Sequence, residues 1–331
     1  MISEGLLICL VGRGSIGACH LRNLNSLGQK NIIAYSENSN KEKDEEYINT
    51  YGVKTFNSIE GIKCSNPYAF IIANPTSKHI ETAQLAIAMN SHIFMEKPVS
   101  NGLKGIDELR EKIHKKKLTF FLANNFRFHP VIIKLKELIE KNEFGDIYFA
   151  RIMAGQYLPD WHPWEDYRQG YSARKDLGGG VVLTLQHEID YAYWLFGEFK
   201  GIKSKVKKMS QLETDVEDIA SIILETKTDH LVEIHLDYLQ RPPKRTIHIQ
   251  GSKGSIDYKF GDEYLQFYNF NKQTYDNILD LSNYDNNQMY LDEMKHFIEC
   301  INNNEKPRSN IDDAIYVLET CLEIKKEFQY G

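Results

Sequence analysis

The sequence lacks any apolar run near the roughly 18 residues that a membrane-spanning helix needs. Its first apolar stretch, residues 5–12, is short and follows no basic segment. We therefore expect a buried strand there, and neither a secretory signal nor a membrane partner. On this basis the sequence predicts a cytoplasmic protein.

Cysteine is also scarce, with five residues that are scattered along the chain and never spaced as C-x-x-C. This odd number and spacing exclude a disulfide framework and a zinc site of the common kinds. Asp160, His162 and Asp166 lie near one another in sequence but show no recognised ligand spacing. We therefore predict no metal.

Positive charge is not concentrated anywhere along the chain. The formal net charge is −6, and the basic residues alternate with acidic ones instead of forming a stripe. Nucleic acid is therefore excluded as an expected partner. The 331 residues exceed what one compact core holds, which is about 250 to 300 residues, so two domains are expected.

Short apolar runs alternate with helical patterns from residue 6 to about residue 123. Alternation of this kind predicts a doubly wound parallel sheet, and we assign it to a first domain, 1–123. Beyond it, between 200 and 270, several runs alternate polar with apolar residues and end in tight turns. We predict an α+β second domain, 124–331, with an open, mainly antiparallel sheet that has one covered face.

A glycine-rich turn follows the first strand. Gly12, Gly14 and Gly17 have the G-x-G-x-x-G spacing, which suits a tight turn, backbone approach to a pyrophosphate and close packing of helix on strand. The phosphates would lie at the amino terminus of the helix. The expected cofactor contacts in this loop are Gly12, Arg13, Gly14, Ser15, Ile16 and Gly17.

Glu37 follows the second strand, at the distance where an acid hydrogen-bonds the adenine ribose and repels a 2′-phosphate. NAD is therefore favoured over NADP. Arg13 and Ser36 could instead accommodate that phosphate, so NADP is not excluded; alternatively, Arg13 covers the adenine.

Polar residues follow three further strands of the predicted parallel sheet. All parallel strands present their carboxyl ends at the edge that holds the cofactor. Residues after these strands therefore face the nicotinamide, and Pro98 can fix an unusual turn that aims Lys97. Those expected at this edge are Asn74, Pro75, Glu96, Lys97, Asn124 and Asn125.

Five segments, taken in order, resemble the Gfo/Idh/MocA oxidoreductase family: the glycine turn, "NPTSKH" at 74–79, "EKP" at 96–98, "NNFRFHP" at 124–130 and "GGGVVLTLQHEIDYAYWLFG" at 178–197. The resemblance implies a Rossmann domain and a second α/β domain whose open sheet mediates homodimers or homotetramers. It also implies hydride transfer between NAD and a carbon of a sugar or polyol. His79 of the second motif is expected on the cofactor side.

By this resemblance the catalytic pair is Lys97 and His187. Histidine, with an unperturbed pKa of about 6.5, can take the hydroxyl proton as hydride leaves, and lysine can stabilise the negative charge that develops on the oxygen. The three glycines before His187 indicate a close backbone approach. Many family members carry an acid where this chain has Thr184, so we expect Thr184 to position a substrate hydroxyl.

The segment 157–176 is rich in aromatic residues, Arg and Asp, and lies where the family has its substrate loop. Aromatic faces and guanidinium groups suit a ring that bears hydroxyls or a phosphate. The expected sugar-binding residues are Asn125, Arg127, Tyr157, Trp161, Arg168 and Tyr171, besides Thr184.

Two other functions remain open from the sequence. One is a nicotinamide-binding regulatory or scaffold protein that has lost its chemistry. The other is an enzyme that oxidises and re-reduces its substrate with tightly bound NAD during elimination or glycoside cleavage. Only net oxidation or reduction consumes nicotinamide. The amount of cofactor consumed per product therefore separates the enzyme that recycles NAD from the leading hypothesis of a dehydrogenase.

Overall fold

The computed structural model describes residues 5–37 and 40–330. The chain divides into two compact units, of which the first comprises Met1–Asn125 and Asn287–Leu318 and the second comprises Phe126–Asn286 and Glu319–Gly331. This division differs from the predicted domains, 1–123 and 124–331, chiefly in residues 287–318.

The first unit contains a parallel six-stranded sheet in the order β3-β2-β1-β4-β5-β6. Four of its strands are buried along their whole length, as apolar runs covered on both faces should be. This confirms the predicted doubly wound sheet. The strands are β1 (Ile8–Val11), β2 (Ile32–Tyr35), β3 (Lys54–Phe56), β4 (Ala69–Ile72), β5 (His92–Glu96) and β6 (Phe120–Ala123).

Helices connect these strands. The connecting helices are α1 (Ser15–Ser26), α2 (Lys41–Tyr51), α3 (Ile59–Ser65), α4 (His79–Ala88) and α5 (Ile106–Lys116).

Helix α9 (Asn287–Asn303) packs against α1. Asn287 Nδ2 donates to Asn23 Oδ1 at 3.0 Å, and the Phe297 ring lies 5.5 Å from that of Phe94. These contacts explain why residues 287–318 belong to the first unit.

The second unit contains an eight-stranded sheet in the order β14-β13-β12-β11-β7-β10-β9-β8, antiparallel except for the β7–β10 pair. This confirms the predicted open, mainly antiparallel sheet. The strands are β7 (Ile147–Gly155), β8 (Phe199–Lys207), β9 (Ile219–Thr226), β10 (Leu231–Asp237), β11 (Lys244–Gly251), β12 (Gly254–Lys259), β13 (Tyr264–Asn269) and β14 (Thr274–Asp280).

Helices cover one face of this sheet, as its alternating burial requires. Along β9, Ala220, Ile222 and Leu224 are buried, whereas Ile223 between them is 47% exposed. The exposed face forms a groove of about 790 Å³. The helices of this unit are α6 (Pro130–Glu140), α7 (Val181–Thr184), α8 (His187–Phe196) and the end of α10 (Ile311–Lys325). No helix in the described part of the chain has the length and hydropathy of a membrane span.

Candidate cofactor and substrate sites

The glycine loop between β1 and α1 leaves open space at one position. Gly12 has φ +103°, and a Cβ there would lie 2.4 Å from the carbonyl oxygen of Ala73. A Cβ at Gly17 would lie 2.2 Å from the Gly12 carbonyl oxygen. At Gly14 no atom of the described residues lies within 4 Å of the Cβ position. A phosphate can therefore approach the backbone at Gly14.

The amino terminus of α1 is suited to an anion. Gly14 is the N-cap of this helix, so no capping side chain occupies its first N–H groups, and its first turn contains no acidic residue. The N–H groups of Ser15 and Ile16 lie at the positive end of the helix dipole. The loop and the helix start together fit the pyrophosphate of a dinucleotide.

Glu37 lies beyond the carboxyl end of β2, with its side chain 55% exposed. Lys78 Nζ lies 3.9 Å from its carboxylate. Arg13, by contrast, is buried and forms an ion pair with Asp44 of α2. This pairing holds the Arg13 guanidinium against α2, which disfavours the alternative in which Arg13 receives a 2′-phosphate.

His79 joins two loops at the carboxyl edge of the parallel sheet. Its Nδ1 lies 2.8 Å from the Pro98 carbonyl oxygen, and its Nε2 lies 2.9 Å from the Asn74 carbonyl oxygen. The ring is 1% exposed, and burial lowers the pKa of His79. The geometry favours a scaffolding role for His79 in place of the predicted cofactor contact. Pro75 is exposed, and Asn74 Nδ2 donates to Thr82 Oγ1 at 2.8 Å.

The E-K-P turn is fixed by the side chain of Glu96. One carboxylate oxygen of Glu96 lies 2.7 Å from His20 Nε2, and the other accepts the backbone N–H of Lys97 at 3.2 Å. The Lys97–Pro98 peptide bond is cis. The backbone at Lys97 is therefore held independently of the Lys97 side chain, which is partly exposed at this edge of the sheet.

Asn125 ends the same edge, after β6. It is 3% exposed and forms a side-chain hydrogen bond with Tyr290 of α9. Its Oδ1 is buried and has no hydrogen-bond partner among the described residues. The Asn125 side chain is thus held in place with its Oδ1 able to accept a hydrogen bond. The neighbouring Asn124 donates from Nδ2 to Ser309 Oγ at 3.0 Å.

Arg127 lies in the interior of the second unit. Its Nε donates to Asp190 Oδ2 at 3.0 Å and its Nη2 donates to Asp190 Oδ1 at 2.7 Å. Both side chains are 1% exposed. The guanidinium is therefore committed to a carboxylate of α8, and this geometry favours a structural role for Arg127 over the predicted contact with substrate.

The glycines before α7 do approach other groups closely, and those groups belong to the protein. A Cβ at Gly179 would lie 2.2 Å from the Tyr171 carbonyl oxygen. Gly180 has φ +106°, and a Cβ there would lie 2.3 Å from the Glu217 carboxylate. Glu217 is 1% exposed and pairs with Lys325 of α10 at 2.9 Å. The glycine run therefore packs the start of α7 against the buried Glu217 carboxylate.

Thr184 is buried at the end of α7. It lies beside Tyr238, whose hydroxyl donates to the Ser172 carbonyl oxygen at 3.2 Å. Burial raises the pKa of Tyr238 well above its usual range, so the phenol stays protonated. Thr184 is 2% exposed. These contacts favour a role in packing the loop, and its predicted contact with a substrate hydroxyl remains a prediction.

His187 begins α8 and is partly exposed. Its ring lies 5.1 Å from the ring of Phe126. Arg245 lies on Phe126, 4.4 Å from its centroid, and forms an ion pair with the fully buried Glu188 at 2.7 Å. The imidazole therefore lies against the Phe126 ring, which is in turn covered by the guanidinium that pairs with buried Glu188.

The predicted substrate loop forms short 3₁₀ helices that side chains of neighbouring segments hold in place. The guanidinium carbon of Arg241 lies 3.6 Å from the centroid of the Tyr157 ring. The same guanidinium donates hydrogen bonds to both carboxylate oxygens of Asp160. Trp161 Nε1 donates to the Gln156 carbonyl oxygen at 3.2 Å.

The two remaining residues of this loop are more exposed. Arg168 pairs with Asp166 and Glu213 at the surface. Tyr171 is 37% exposed. Because Arg168 is engaged in ion pairs, its predicted substrate contact has less support than those of Tyr157, Trp161 and Tyr171.

The structure thus groups the predicted residues within each unit. The glycine loop, Asn74, Lys97 and Asn125 belong to the first unit, and His187, Thr184 and the substrate loop belong to the second. In residues 5–37 and 40–330 no three His, Cys, Asp or Glu side chains are grouped as a metal site.

Several residues of these sites carried no local sequence signal. Glu188, Glu217, Tyr238 and Arg245 support His187 and Thr184 from positions that only the folded chain reveals. A buried acid of α9, Glu293, does carry a sequence signal. It lies on the same apolar face of the helix as Met289 and Phe297, at intervals of four residues.

Two family models match this chain. Residues 6–124 match "Oxidoreductase family, NAD-binding Rossmann fold" of the GFO_IDH_MocA model. Residues 132–257 match the "GFO/IDH/MocA C-terminal domain".

Among curated proteins, the chain is similar to the myo-inositol 2-dehydrogenase of Thermotoga maritima, with 26% identity over 97% of this chain and 96% of the relative. A levoglucosan dehydrogenase solved with NADH and levoglucosan superposes with a TM-score of 0.85 at 17% identity, covering 98% of this chain and 97% of the other. The WlbA dehydrogenase of Bordetella pertussis, solved with NADH and UDP-GlcNAcA, gives a TM-score of 0.81 at 17% identity, covering 98% and 96%. The two structural similarities establish the fold alone.

Proposed function

Because the chain belongs to the Gfo/Idh/MocA family of NAD-binding oxidoreductases, we propose that it transfers hydride between NAD and a hydroxyl-bearing carbon of a sugar or sugar derivative. The proposal rests on the arrangement of residues at the carboxyl edge of the parallel sheet. There a glycine loop with open space at Gly14 lies in the same unit as the fixed backbone of Lys97.

NAD supplies the hydride acceptor when it is bound. The residues of this chain bind and orient the substrate and move the proton. We assign His187 as the base that takes the hydroxyl proton, and Lys97 as the cation that stabilises negative charge on the same oxygen. The aromatic support of His187 by Phe126 and the fixing of the Lys97 backbone by Glu96 suit these roles, because both groups must be oriented before substrate arrives.

The exposed Glu37 favours NAD over NADP. In Glu37→Ala, the ratio of the Kd for NADP to the Kd for NAD should fall by about tenfold, because both the ribose hydrogen bonds and the repulsion of a 2′-phosphate are lost. Fluorescence titration with each cofactor measures this ratio. Glu111→Ala, at an exposed position of α5, serves as the control and should leave the ratio unchanged. Tighter binding of NADP than NAD by the wild type would contradict the assignment.

A substrate screen tests the proposed function itself. The protein is incubated with NAD and, one at a time, inositols, levoglucosan, hexose phosphates and UDP-sugars, while NADH fluorescence is recorded. We expect stoichiometric NADH formation with at least one of them. An elimination or cleavage product without NADH would favour the enzyme that recycles its NAD. Binding of NAD without turnover of any compound would favour the scaffold protein.

The partner predicted from the sequence is a second copy of this chain, bound through the open sheet. The exposed face of that sheet supports this proposal, because it combines the exposed Ile223 with charges of both signs, including Arg151, Lys205 and Glu233. Light scattering should give a dimer or tetramer, and Ile223→Glu should shift the mass toward the monomer. A monomeric wild type at micromolar concentration would contradict this assembly.

A further inference from the structure

Glu293 of α9 is a buried carboxyl group that the proposed chemistry does not use. Its side chain is 0% exposed, and neither carboxyl oxygen has a hydrogen-bond partner among the described residues. A carboxylate in such a place costs much more than a neutral carboxyl group. The helix could hold an apolar residue here, as it does at Met289 and Phe297 on the same face.

Glu293 lies in a cluster of side chains contributed by α1, α9 and the end of β5, because the ring of Phe297, one helical turn after Glu293, lies 5.5 Å from that of Phe94, two residues before Glu96. Burial, and then the charge of Glu96, raise the pKa of Glu293 well above its usual range. The other titratable or charged groups of the cluster are Cys19, His20 and Arg22 of α1 and Tyr290 of α9.

The thiol and the phenol of this cluster do not compete for the proton near neutral pH. Burial raises the pKa of the Cys19 thiol and that of the Tyr290 hydroxyl, so both stay protonated. His20, whose Nε2 lies 2.7 Å from Glu96 Oε1, is the other group of this cluster that can exchange a proton.

The strand order places this cluster near the reactive half of a dinucleotide. The parallel sheet reverses its order between β1 and β4, where a dinucleotide crosses the edge. Glu37, after β2, marks the adenosine side. The nicotinamide therefore lies on the β4 and β5 side, and Glu96 is the last residue of β5.

We infer that Glu293 is a proton-binding residue of the cofactor site, which releases its proton when the positively charged nicotinamide of NAD binds and keeps it when neutral NADH binds. The inference rests on the proposed function. A cation near two carboxyl groups favours the state in which both are ionised, whereas a neutral ring leaves their mutual repulsion uncompensated. Glu293 takes no part in bond making or breaking, and the proton that it releases goes to solvent.

Calorimetric titration of the full-length protein with NAD and with NADH tests this inference. Each titration is repeated at several pH values between 6 and 9 in buffers of different ionisation enthalpy, which gives the number of protons released per cofactor bound. The wild type should release more protons with NAD than with NADH. Glu293→Gln, which preserves the shape and neutrality of the protonated acid, should abolish that difference. Glu299→Gln, at an exposed position of the same helix, should retain it.

Equal proton release with both cofactors in the wild type would overturn the inference. A difference that persists in Glu293→Gln would also overturn it, because the proton would then belong to His20 or another group. If neither cofactor binds, the proposed function fails instead, so the two failures are distinguishable.

The pH dependence of stability provides a second readout that needs no cofactor. Because the folded pKa of Glu293 is raised, the folded state holds a proton that the unfolded state loses above about pH 4.3. Stability of the wild type should therefore decline as pH rises from there toward the folded pKa. In Glu293→Gln, and in Glu293→Met should the first variant fold poorly, this decline should be smaller. An unchanged slope in the variants would contradict a neutral Glu293.

Discussion

Replacement of Lys97 by Ala should lower kcat by about 10² or more while changing the Kd for NAD little. The loss follows from removing the cation that stabilises negative charge on the reacting oxygen. Cofactor binding should survive because the turn is held by the Glu96 carboxylate on the Lys97 backbone N–H, which the substitution retains. Steady-state kinetics on the substrate found by the screen, with fluorescence titration of NAD, measure both quantities.

Lys115→Ala is the matched control, because Lys115 is an exposed lysine of α5 in the same unit. It should leave kcat unchanged.

His187→Ala should also lower kcat by about 10² or more, since the general base is lost, and the Phe126 ring that supports the imidazole remains in place. Turnover near that of the wild type in either variant would remove that residue from the catalytic pair.

The parallel sheet was predictable because its signal is local. Four of its strands are apolar runs buried along their whole length, the middle of β5 is buried in the same way, and the helices between them show the expected periodicity. β3 and α3 carry a weak sequence signal. β3 has only three residues, none of them fully buried, and α3 buries only Ile62. Neither has enough apolar pattern to be separated from a loop.

The position of α9 could not be predicted from its own residues. Its amphipathic pattern indicates a helix with one buried face, but nothing in that pattern indicates which core the face meets. The partners are Asn23, Phe94 and Phe121, which lie almost two hundred residues or more before it. Assignment of α9 to the domain that precedes it in sequence is the natural expectation, because most connections are short.

The candidate site shows the same limit at the level of single side chains. Spacing alone predicted the tight backbone of the glycine loop, because a Cβ at Gly12 or Gly17 would lie too close to backbone atoms whereas the position at Gly14 is open. The run of glycines before α7 correctly indicated a close approach, but Gly180 approaches the Glu217 carboxylate of the protein itself. A motif reveals that space is limited and does not reveal what occupies the other side.

Arg127 is the residue for which the sequence and the structure lead to opposite expectations. A substrate-binding arginine should be replaceable with a rise in KM and little change in stability. An arginine that pairs with buried Asp190 should instead be essential for folding, since its loss leaves a carboxylate without the guanidinium that compensates it. Arg127→Leu should therefore lower the free energy of unfolding by about 3–5 kcal/mol. Urea denaturation of the purified variant measures the change.

The double variant Arg127→Leu/Asp190→Leu separates the two roles. Removing both charges eliminates the buried unpaired carboxylate, so the double variant should be more stable than Arg127→Leu alone. Arg110→Leu, which breaks a surface pair with Asp107, should change the free energy of unfolding little. Arg127→Lys should recover only part of the stability, because an ammonium cannot reproduce the two parallel bonds to Asp190. A wild-type free energy of unfolding in Arg127→Leu, with a raised KM, would instead restore Arg127 to the substrate site.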